Sequence, residues 1–157
     1  MIIKSITLSQ PYATLITLEE KQIETRGWPA NFKGKLAIHA GKKIDIEACR
    51  NPRIKAVLEK HGIMIPEKLP TGCVLSICNL FDCVQMQYSS EARHNIIVPG
   101  YKLSDQEYDF GCYEHGRWAW ILANVRKLDT PIPAVGKLKL WDFDTDKTKV
   151  YGRGWSA

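Results

Sequence analysis

Residues 19–28 read EEKQIETRGW, and within them the chain changes from helical spacing to strand spacing. On the N-terminal side, Tyr12, Leu15 and Ile16 recur at the three- and four-residue intervals of a helix. From Ile23 onward the side chains follow a period of two, with β-branched residues on one side. The sequence therefore predicts a helix of about three turns that leads directly into a strand.

The charged side chains of this stretch allow two interpretations. On a strand, Glu24, Arg26 and Trp28 share one face, while Lys21 closes the preceding helix. They could form an exposed edge strand whose charges prevent aggregation, since an exposed ion pair contributes only about 0.2–1 kcal/mol. They could equally form the wall of a pocket, where Lys21 and Arg26 meet an anion and Glu24 accepts from an amine or hydroxyl. The spacing leaves both open.

The remaining pattern predicts an α+β fold, as a small mixed β-barrel with covering helices. Ser9 is a suitable N-cap for the first helix, and Pro52 is expected to split a later helical segment into two. Strands are predicted at 4–8, 35–40, 73–84, 117–128 and 136–143, and the divided helical segment at 44–60. With no repeat or linker, residues 1–157 are expected to form a single domain.

Two segments lack a clear pattern. Residues 86–116 are polar and weakly periodic, which predicts a long loop that serves as a binding loop or lid. Residues 150–157 carry no pattern and predict a mobile tail.

Composition narrows the class of protein. The chain has 45% hydrophobic and 25% charged residues, typical of a soluble globular protein, and no apolar run near the roughly 18 residues that span a bilayer. Without a signal-peptide pattern, we predict a cytoplasmic protein with no membrane partner.

The five cysteines are an odd number and lack metal-ligand spacing, so we predict no metal site. The net charge of +5 favours an anionic partner such as nucleic acid.

Further candidate binding residues lie outside the opening stretch. His39, Lys42 and Lys43 end a strand and precede a helix, where free backbone N–H groups favour anions. His39 is an equally good candidate for a satisfied core histidine. Gln10 could contact a base edge or simply occupy the first helical turn.

Aromatic residues could supply stacking surfaces. Trp118 and Trp120 share a strand face, and Trp28 could lie near them. Stacking a base on such a ring contributes roughly 1–3 kcal/mol, although tryptophans at this spacing are more often part of a core. Arg117 lies at the start of the same strand, where a charged side chain needs a hydrogen-bonding or ionic partner.

Several separated blocks, from about Lys4 to Phe143, resemble the ASCH (ASC-1 homology) domain family, which has a PUA-like barrel fold. The blocks are Ser9-Gln10-Pro11-Tyr12-Ala13, the Lys21, Glu24 and Arg26 positions of a Gly-x-Lys-x-x-Glu-x-Arg signature, Leu36 to Lys42, Gly116 to Trp120, Pro131 to Pro133 and Gly136 to Trp141. Glu19 stands where the family often has glycine.

The resemblance implies a cleft between the first helix and the barrel, lined by Lys21, Glu24 and Arg26. Proteins of this kind are thought to bind RNA or nucleotide derivatives, and some are hydrolases. One related group deacylates N4-acetylcytidine with a lysine, a threonine and a glutamate. Here Glu24 occupies the threonine position, and Thr25 is expected to point to the opposite face.

Three hypotheses follow. The preferred one is an ASCH-type domain whose charged cleft binds RNA or a nucleotide or nucleoside derivative. The alternative is a hydrolase acting on modified nucleosides or on single-stranded RNA, with Lys21 and Glu24 as proton carriers. The third is an adaptor that contacts a protein partner through 86–116 and the tail. No P-loop, dinucleotide fingerprint or Ser-His-Asp set is present, and no cofactor is predicted.

Overall fold

The structure is a computed structural model that describes residues 1–146, so the predicted tail at 150–157 lies outside the described residues. Its strands are β1 (Ile2–Gln10), β2 (Ile23–Arg26), β3 (Gly34–Ile44), β4 (Cys73–Gln85), β5 (Gln87–Tyr88), β6 (Ile96–Ile97), β7 (Trp118–Pro133) and β8 (Leu140–Asp144). Its helices are α1 (Tyr12–Thr17), α2 (Ile46–Arg50), α3 (Pro52–Lys60) and α4 (Asp105–Asp109), with a 3₁₀ turn at Pro66–Lys68. No helix in this part of the chain is long and apolar enough to cross a membrane.

One mixed sheet organises the domain, and the predicted α+β class is confirmed. Its strand order is β2-β7-β4-β3-β1-β8, with β1 and β3 parallel and the other neighbours antiparallel. Three register shifts interrupt the β4–β7 ladder, and such bulges bend a sheet. The helical segment is split at Pro52 as predicted, because Asn51 caps α3 by accepting from the N–H groups of Arg53 and Ile54.

The predicted closed barrel is not seen in residues 1–146, where β2 and β8 are the two edges of an open sheet. The free side of β2 is covered by side chains instead of a strand. Arg26 Nη2 donates to the Thr7 carbonyl at 3.2 Å, so a side chain bridges β2 to β1 across the bent sheet. On the same strand, Thr25 Oγ1 accepts from the Cys112 N–H at 3.0 Å.

The main core fills the inside of this bend. Alternate side chains of β1 and β3, such as Ile6 and Ile38, point into it, as the period of two requires. Trp120 of β7 has no exposed surface and lies in the same cluster. Helix α1 adds Ala13 and Ile16. A second apolar cluster on the opposite face of the sheet includes Ala37, Val74, Leu128, Trp141 and Phe143.

The turn from α1 to β2 fixes the start of the candidate site. Pro11, and not Ser9 as predicted, is at the N-cap position of α1, and the Gln10 side chain supplies the cap by accepting from the Thr14 N–H at 3.0 Å. Beyond the helix, Glu19 has a φ of 60°, in the left-handed region that glycine occupies most easily.

Segment 86–116, predicted as one long polar loop, contains β5, β6 and α4. It folds back on the sheet, burying Met86 and Tyr113 beside β2 and β7, and Phe110 beside α1 and α3. Elements of two to five residues are too short to produce a recognisable period, which is why the sequence pattern did not reveal them.

Glu20 fastens α4 to the rest of the domain. Its carboxylate accepts from Lys60 Nζ at 2.7 Å, from His61 Nε2 at 3.1 Å and from Gln106 Nε2 at 3.0 Å. The hydrogen bonds from Lys60, His61 and Gln106 lower the pKa of the Glu20 carboxyl to about 2. One carboxylate thus links the α1–β2 turn to both α3 and α4.

We expect Glu20→Gln to lower the free energy of unfolding by about 0.5–1.5 kcal/mol at pH 7, because it weakens exposed charge-assisted hydrogen bonds. The pKa of Glu20 is lower in the folded state than in the unfolded state. Its ionised carboxylate therefore stabilises the folded state at pH values above 4.5, and this stabilisation is lost as the pH falls towards 2. Urea unfolding between pH 7 and pH 2 should therefore show a smaller loss for the variant than for the wild type.

The control is Glu47→Gln, which removes the same charge from an exposed pair with Arg50, where the side chains are 81% and 70% exposed. It should change stability by a few tenths of a kcal/mol at most. An unchanged acid dependence in Glu20→Gln would contradict the role assigned to Glu20.

Candidate ligand-binding site

Lys21 has no exposed surface, although it follows directly on the α1–β2 turn. Its Nζ donates to the Phe110 carbonyl at 2.6 Å and lies 5.9 Å from the centroid of the Tyr12 ring. Within residues 1–146 no carboxylate oxygen lies within 4.0 Å of this ammonium. Burial lowers the pKa of Lys21, and the charges of Glu24 and Glu107 oppose that change. The ammonium is therefore desolvated and only partly compensated.

Glu24 and Arg26 point from β2 towards the inside of the bent sheet. Glu24 Oε1 accepts from the Thr25 N–H at 2.8 Å, and Glu24 Oε2 lies 3.8 Å from Arg26 Nη2. Their side chains are 11% and 28% exposed, so they do not form the solvated edge that was one of the two interpretations. Arg26 Nε is buried and has no hydrogen-bond partner. The site thus contains an arginine donor that the described protein groups do not satisfy.

A second buried carboxyl, Glu107 of α4, lies behind Lys21. One oxygen accepts from the Gln22 N–H, whereas Oε2 is buried without a partner, as is the Tyr113 hydroxyl. Burial raises the pKa of Glu107, and the charge of Lys21 opposes it. Burial also raises the pKa of Tyr113, with further contributions from the charges of Glu107 and Glu24.

Sequence reasoning missed Glu107, although one signal was available. Ser104 and Glu107 have the S-x-x-E spacing of a capping box, and Ser104 Oγ accepts from the Glu107 N–H at 3.1 Å. In a capping box the glutamate returns to its own helix, but here it accepts from the backbone of Gln22. The motif predicts the helix start and cannot reveal this long-range contact.

Arg117, Trp118 and Trp28 lie on or beside the strands that carry these charged residues. Arg117 Nε donates to the Cys112 carbonyl at 3.0 Å and its Nη2 to the Thr25 carbonyl at 3.3 Å, which ties the segment after α4 to β2. Trp118 pairs with Arg26 in the β2–β7 register and is half-buried. Trp28 is also half-buried and packs edge-on against Trp120, with ring centroids 4.9 Å apart.

Gln10 and His39 are held by the fold, away from the charged group. Gln10 is fully buried, and its amide nitrogen donates to Thr14 Oγ1 and to the Pro70 carbonyl, each at 2.7 Å. His39 is buried on the other face of the sheet, where burial lowers its pKa. His39 Nε2 donates to the Ala134 carbonyl at 2.7 Å. Nδ1 of the neutral ring then accepts from the Thr7 hydroxyl at 3.1 Å.

Lys42 and Lys43 are exposed at the end of β3. Lys42 lines a groove with Thr7 and His39, whereas Lys43 is not among the residues that line it. The structure therefore divides the predicted residues between a charged group on β2 and a groove beside β1 and β3. No three His, Cys, Asp or Glu side chains lie together as a metal site in the part of the chain that the structure describes.

The sequence and the fold match one class of domain. The profile of the ASCH domain family matches residues 6–132, and the chain belongs to this family. Activating signal cointegrator 1 from Homo sapiens and from Mus musculus are each 25% identical over 142 residues, 89% of this chain and 22% of theirs. The chain therefore spans about a fifth of the length of these relatives.

Solved structures show the same fold. The crystal structure of ASCH from Zymomonas mobilis matches with a TM-score of 0.52 and 17% identity, covering 95% of this chain and 92% of that chain. A mutant of the same protein matches with a TM-score of 0.51 and 15% identity, covering 95% of both chains. At this level of identity the likeness concerns the fold alone.

Replacing Glu107 by Gln tests the buried carboxyl. The pKa of Glu107 is higher in the folded state than its unfolded value of 4.5. The contribution of Glu107 to the free energy of unfolding therefore falls as the pH rises from 4.5 through the folded pKa. We expect Glu107→Gln to have a free energy of unfolding at pH 7 within about 1 kcal/mol of the wild type, or higher, and to lack this component of the pH dependence. Urea unfolding from pH 4 to pH 8 measures both.

Glu59→Gln, an exposed change of the same kind on α3, is the control and should follow the wild-type curve. A loss of more than about 2 kcal/mol at pH 7 in Glu107→Gln would show instead that an ionised carboxylate stabilises the fold strongly through Lys21.

Proposed function

We propose that this ASCH domain binds RNA or a nucleotide or nucleoside derivative in a charged cleft formed by Lys21, Glu24 and Arg26. The observation that carries the proposal is the unpartnered Nε of Arg26, buried beside a carboxylate and a fully buried ammonium. Buried donors without partners are rare in folded proteins. A ligand with hydrogen-bond acceptors near Arg26 and Lys21 would satisfy the remaining donors of both side chains.

The chemistry of the three groups suits a nucleobase and its phosphate. A guanidinium presents a planar fork of donors that fits a phosphate or the carbonyl edge of a base. The Glu24 carboxylate can accept from an exocyclic amine, as carboxylates do with cytosine. Trp28 and Trp118 are half-buried near Arg26 and offer ring surface for stacking. Membership of the ASCH family and the net charge of +5 support the same ligand class.

The proposal includes the PUA-like character of the fold. Two features support it: α1 packs on the concave side of the bent sheet, and the Arg26 side chain bridges β2 to β1. In a barrel-like arrangement of this kind, the proposed cleft would lie between α1 and β2, beside the main core.

Binding of short single-stranded RNA and of the four nucleoside monophosphates, measured by fluorescence anisotropy and calorimetry, tests the proposal. We expect Arg26→Ala to raise the Kd at least about tenfold, because it removes charge-assisted hydrogen bonds of roughly 1.5–3 kcal/mol. Lys21→Met should also weaken binding. Because it leaves the Phe110 carbonyl and Glu107 without their cation, thermal unfolding is measured to establish that this variant folds.

Arg50→Ala, which removes an arginine from an exposed pair on α2, is the matched control and should stay within about twofold of the wild type. A wild-type chain that binds none of these probes, or an Arg26→Ala variant that binds as the wild type does, would refute the proposal.

A hydrolase is the second candidate, and the burial of Lys21 favours it. Burial lowers the pKa of this amine, and a neutral lysine can take a proton from water. The water oxygen would form a bond to the acyl carbon or the phosphorus as the C–N or P–O bond breaks, and the proton taken up by Lys21 would pass through Glu24 to the leaving nitrogen or oxygen. Thr25 is not a substitute for a catalytic threonine, because its hydroxyl faces away and accepts from the Cys112 N–H.

Incubation with N4-acetylcytidine and with single-stranded RNA, followed by chromatography, measures this activity. We expect turnover, if the domain is a hydrolase, to be lost in Lys21→Met and kept in Arg50→Ala. Turnover that survives Lys21→Met would exclude the mechanism and leave the binding function intact.

A protein partner that contacts segment 86–116 remains a further proposal. The short β5–β6 pair in this segment exposes Tyr88 at 63% and Ile97 at 37%. These two side chains are the first candidates for such a contact.

A further inference from the structure

A groove of about 790 Å³ lies beside the strands that carry the charged cleft. Its walls are the ends of β1 and β3, with Thr7, His39 and Lys42, and the segment that follows β7 at 134–138. Among the described residues that line it, none is acidic. The groove therefore carries two lysines, Lys42 and Lys137, on an otherwise largely apolar lining.

Its cations are available to a ligand. Lys42 and Lys137 are exposed, and neither forms an ion pair with a described residue. Lys139 at the end of the same segment places its Nζ 5.9 Å from the centroid of the Trp28 ring. Lys42 on one wall and Lys137 on the other attract an extended anion more readily than a neutral peptide.

The shape of the groove is fixed by close contacts. His39 Nε2 donates to the Ala134 carbonyl, which holds the segment after β7 against β3. Trp141 Nε1 donates to Thr7 Oγ1 at 3.0 Å, and this hydroxyl donates in turn to His39 Nδ1. A Cβ added at Gly136 would lie 2.5 Å from Thr7 Oγ1 and 2.8 Å from His39 Cε1. Only glycine lets the segment approach Thr7 and His39 this closely without a shift of their side chains.

Two contacts link the groove to the proposed cleft. The Thr7 carbonyl accepts from Arg26, while the Thr7 side chain lines the groove on the other face of the sheet. Lys139, which follows the groove segment, has its Nζ over the Trp28 ring, two residues after Arg26. Because β8 pairs with β1 only as far as Ile6, a strand that passes around the edge of the sheet at Thr7 would contact both regions.

We infer that this groove is a second subsite, which holds the sugar–phosphate backbone of a single-stranded RNA whose base occupies the cleft. The inference rests on the proposed function and extends it from a nucleotide to a strand. Lys42 and Lys137 contact phosphates. Val135 and Leu138, 85% and 93% exposed, offer apolar surface to the sugars and bases. A positively charged groove with nearby stacking surface is the usual arrangement for single-stranded nucleic acid.

The test compares two double variants that remove the same charge. Lys42→Gln/Lys137→Gln changes the groove, and Lys55→Gln/Lys102→Gln changes exposed lysines on α3 and before α4. Each is titrated with an eight-nucleotide single-stranded RNA and with the nucleoside monophosphates, at several salt concentrations. Arg26→Ala is measured in parallel, and thermal unfolding checks that each variant folds.

We expect the groove variant to bind the octanucleotide about tenfold more weakly and to bind the monophosphates within twofold of the wild type. The slope of log K against log salt should fall by about 1.4 in magnitude, the value for two phosphate contacts on a single strand. The control variant should keep both the affinity and the slope.

Each other outcome is decisive. If the groove variant binds RNA as the control does while Arg26→Ala still weakens the monophosphates, the inference fails and the proposed function stands. If the groove variant loses RNA binding while Arg26→Ala changes nothing, the groove is a nucleic-acid site and the cleft proposal fails. If the wild type binds neither probe, both fail.

Discussion

The burial of one ammonium group constrains this whole side of the molecule. A lysine without exposed surface needs acceptors around it, and Lys21 obtains them from the Phe110 carbonyl and, at longer range, from Glu24 and Glu107. These groups belong to β2 and to the segment around α4, so the segment must close over β2. Glu20, the residue before Lys21, also holds this segment in place. Its carboxylate accepts hydrogen bonds from Lys60 of α3 and from Gln106 of α4.

The same constraint gives the site its chemical character. Cations and carboxylates are brought together without full pairing: Arg26 Nε, Glu107 Oε2 and the Tyr113 hydroxyl are all buried without partners. Buried polar atoms without partners are rare in folded proteins, and these three are the basis of the proposed binding function. The contacts of Thr7 and His39 shape the groove, where Lys42 forms no ion pair with a described residue.

Much of the fold could be predicted from local pattern, because strands and helices depend on periodicity that the chain carries itself. The alternation after Ile23 gave β2, and Pro52 with the Asn51 cap divided α2 from α3. The open edge of the sheet could not be predicted, because it depends on the contact of Arg26 with the Thr7 carbonyl. Gln10 and His39 were ambiguous for the same reason. Their hydrogen-bond partners are supplied by distant parts of the chain, including Pro70 and Ala134. Glu107 was missed because its burial arises only from tertiary packing.

Titration of the Lys21 amine by NMR, in protein labelled at the lysine side chains, tests directly whether this ammonium is desolvated and near a ligand. The signal is assigned by its absence from Lys21→Met. We predict a midpoint below the ordinary value of 10.5, as burial requires, and a shift of this signal when a nucleotide or short RNA is added. A midpoint at or above 10.5 with no response to either ligand would contradict the central claim that a desolvated ammonium forms part of a binding cleft.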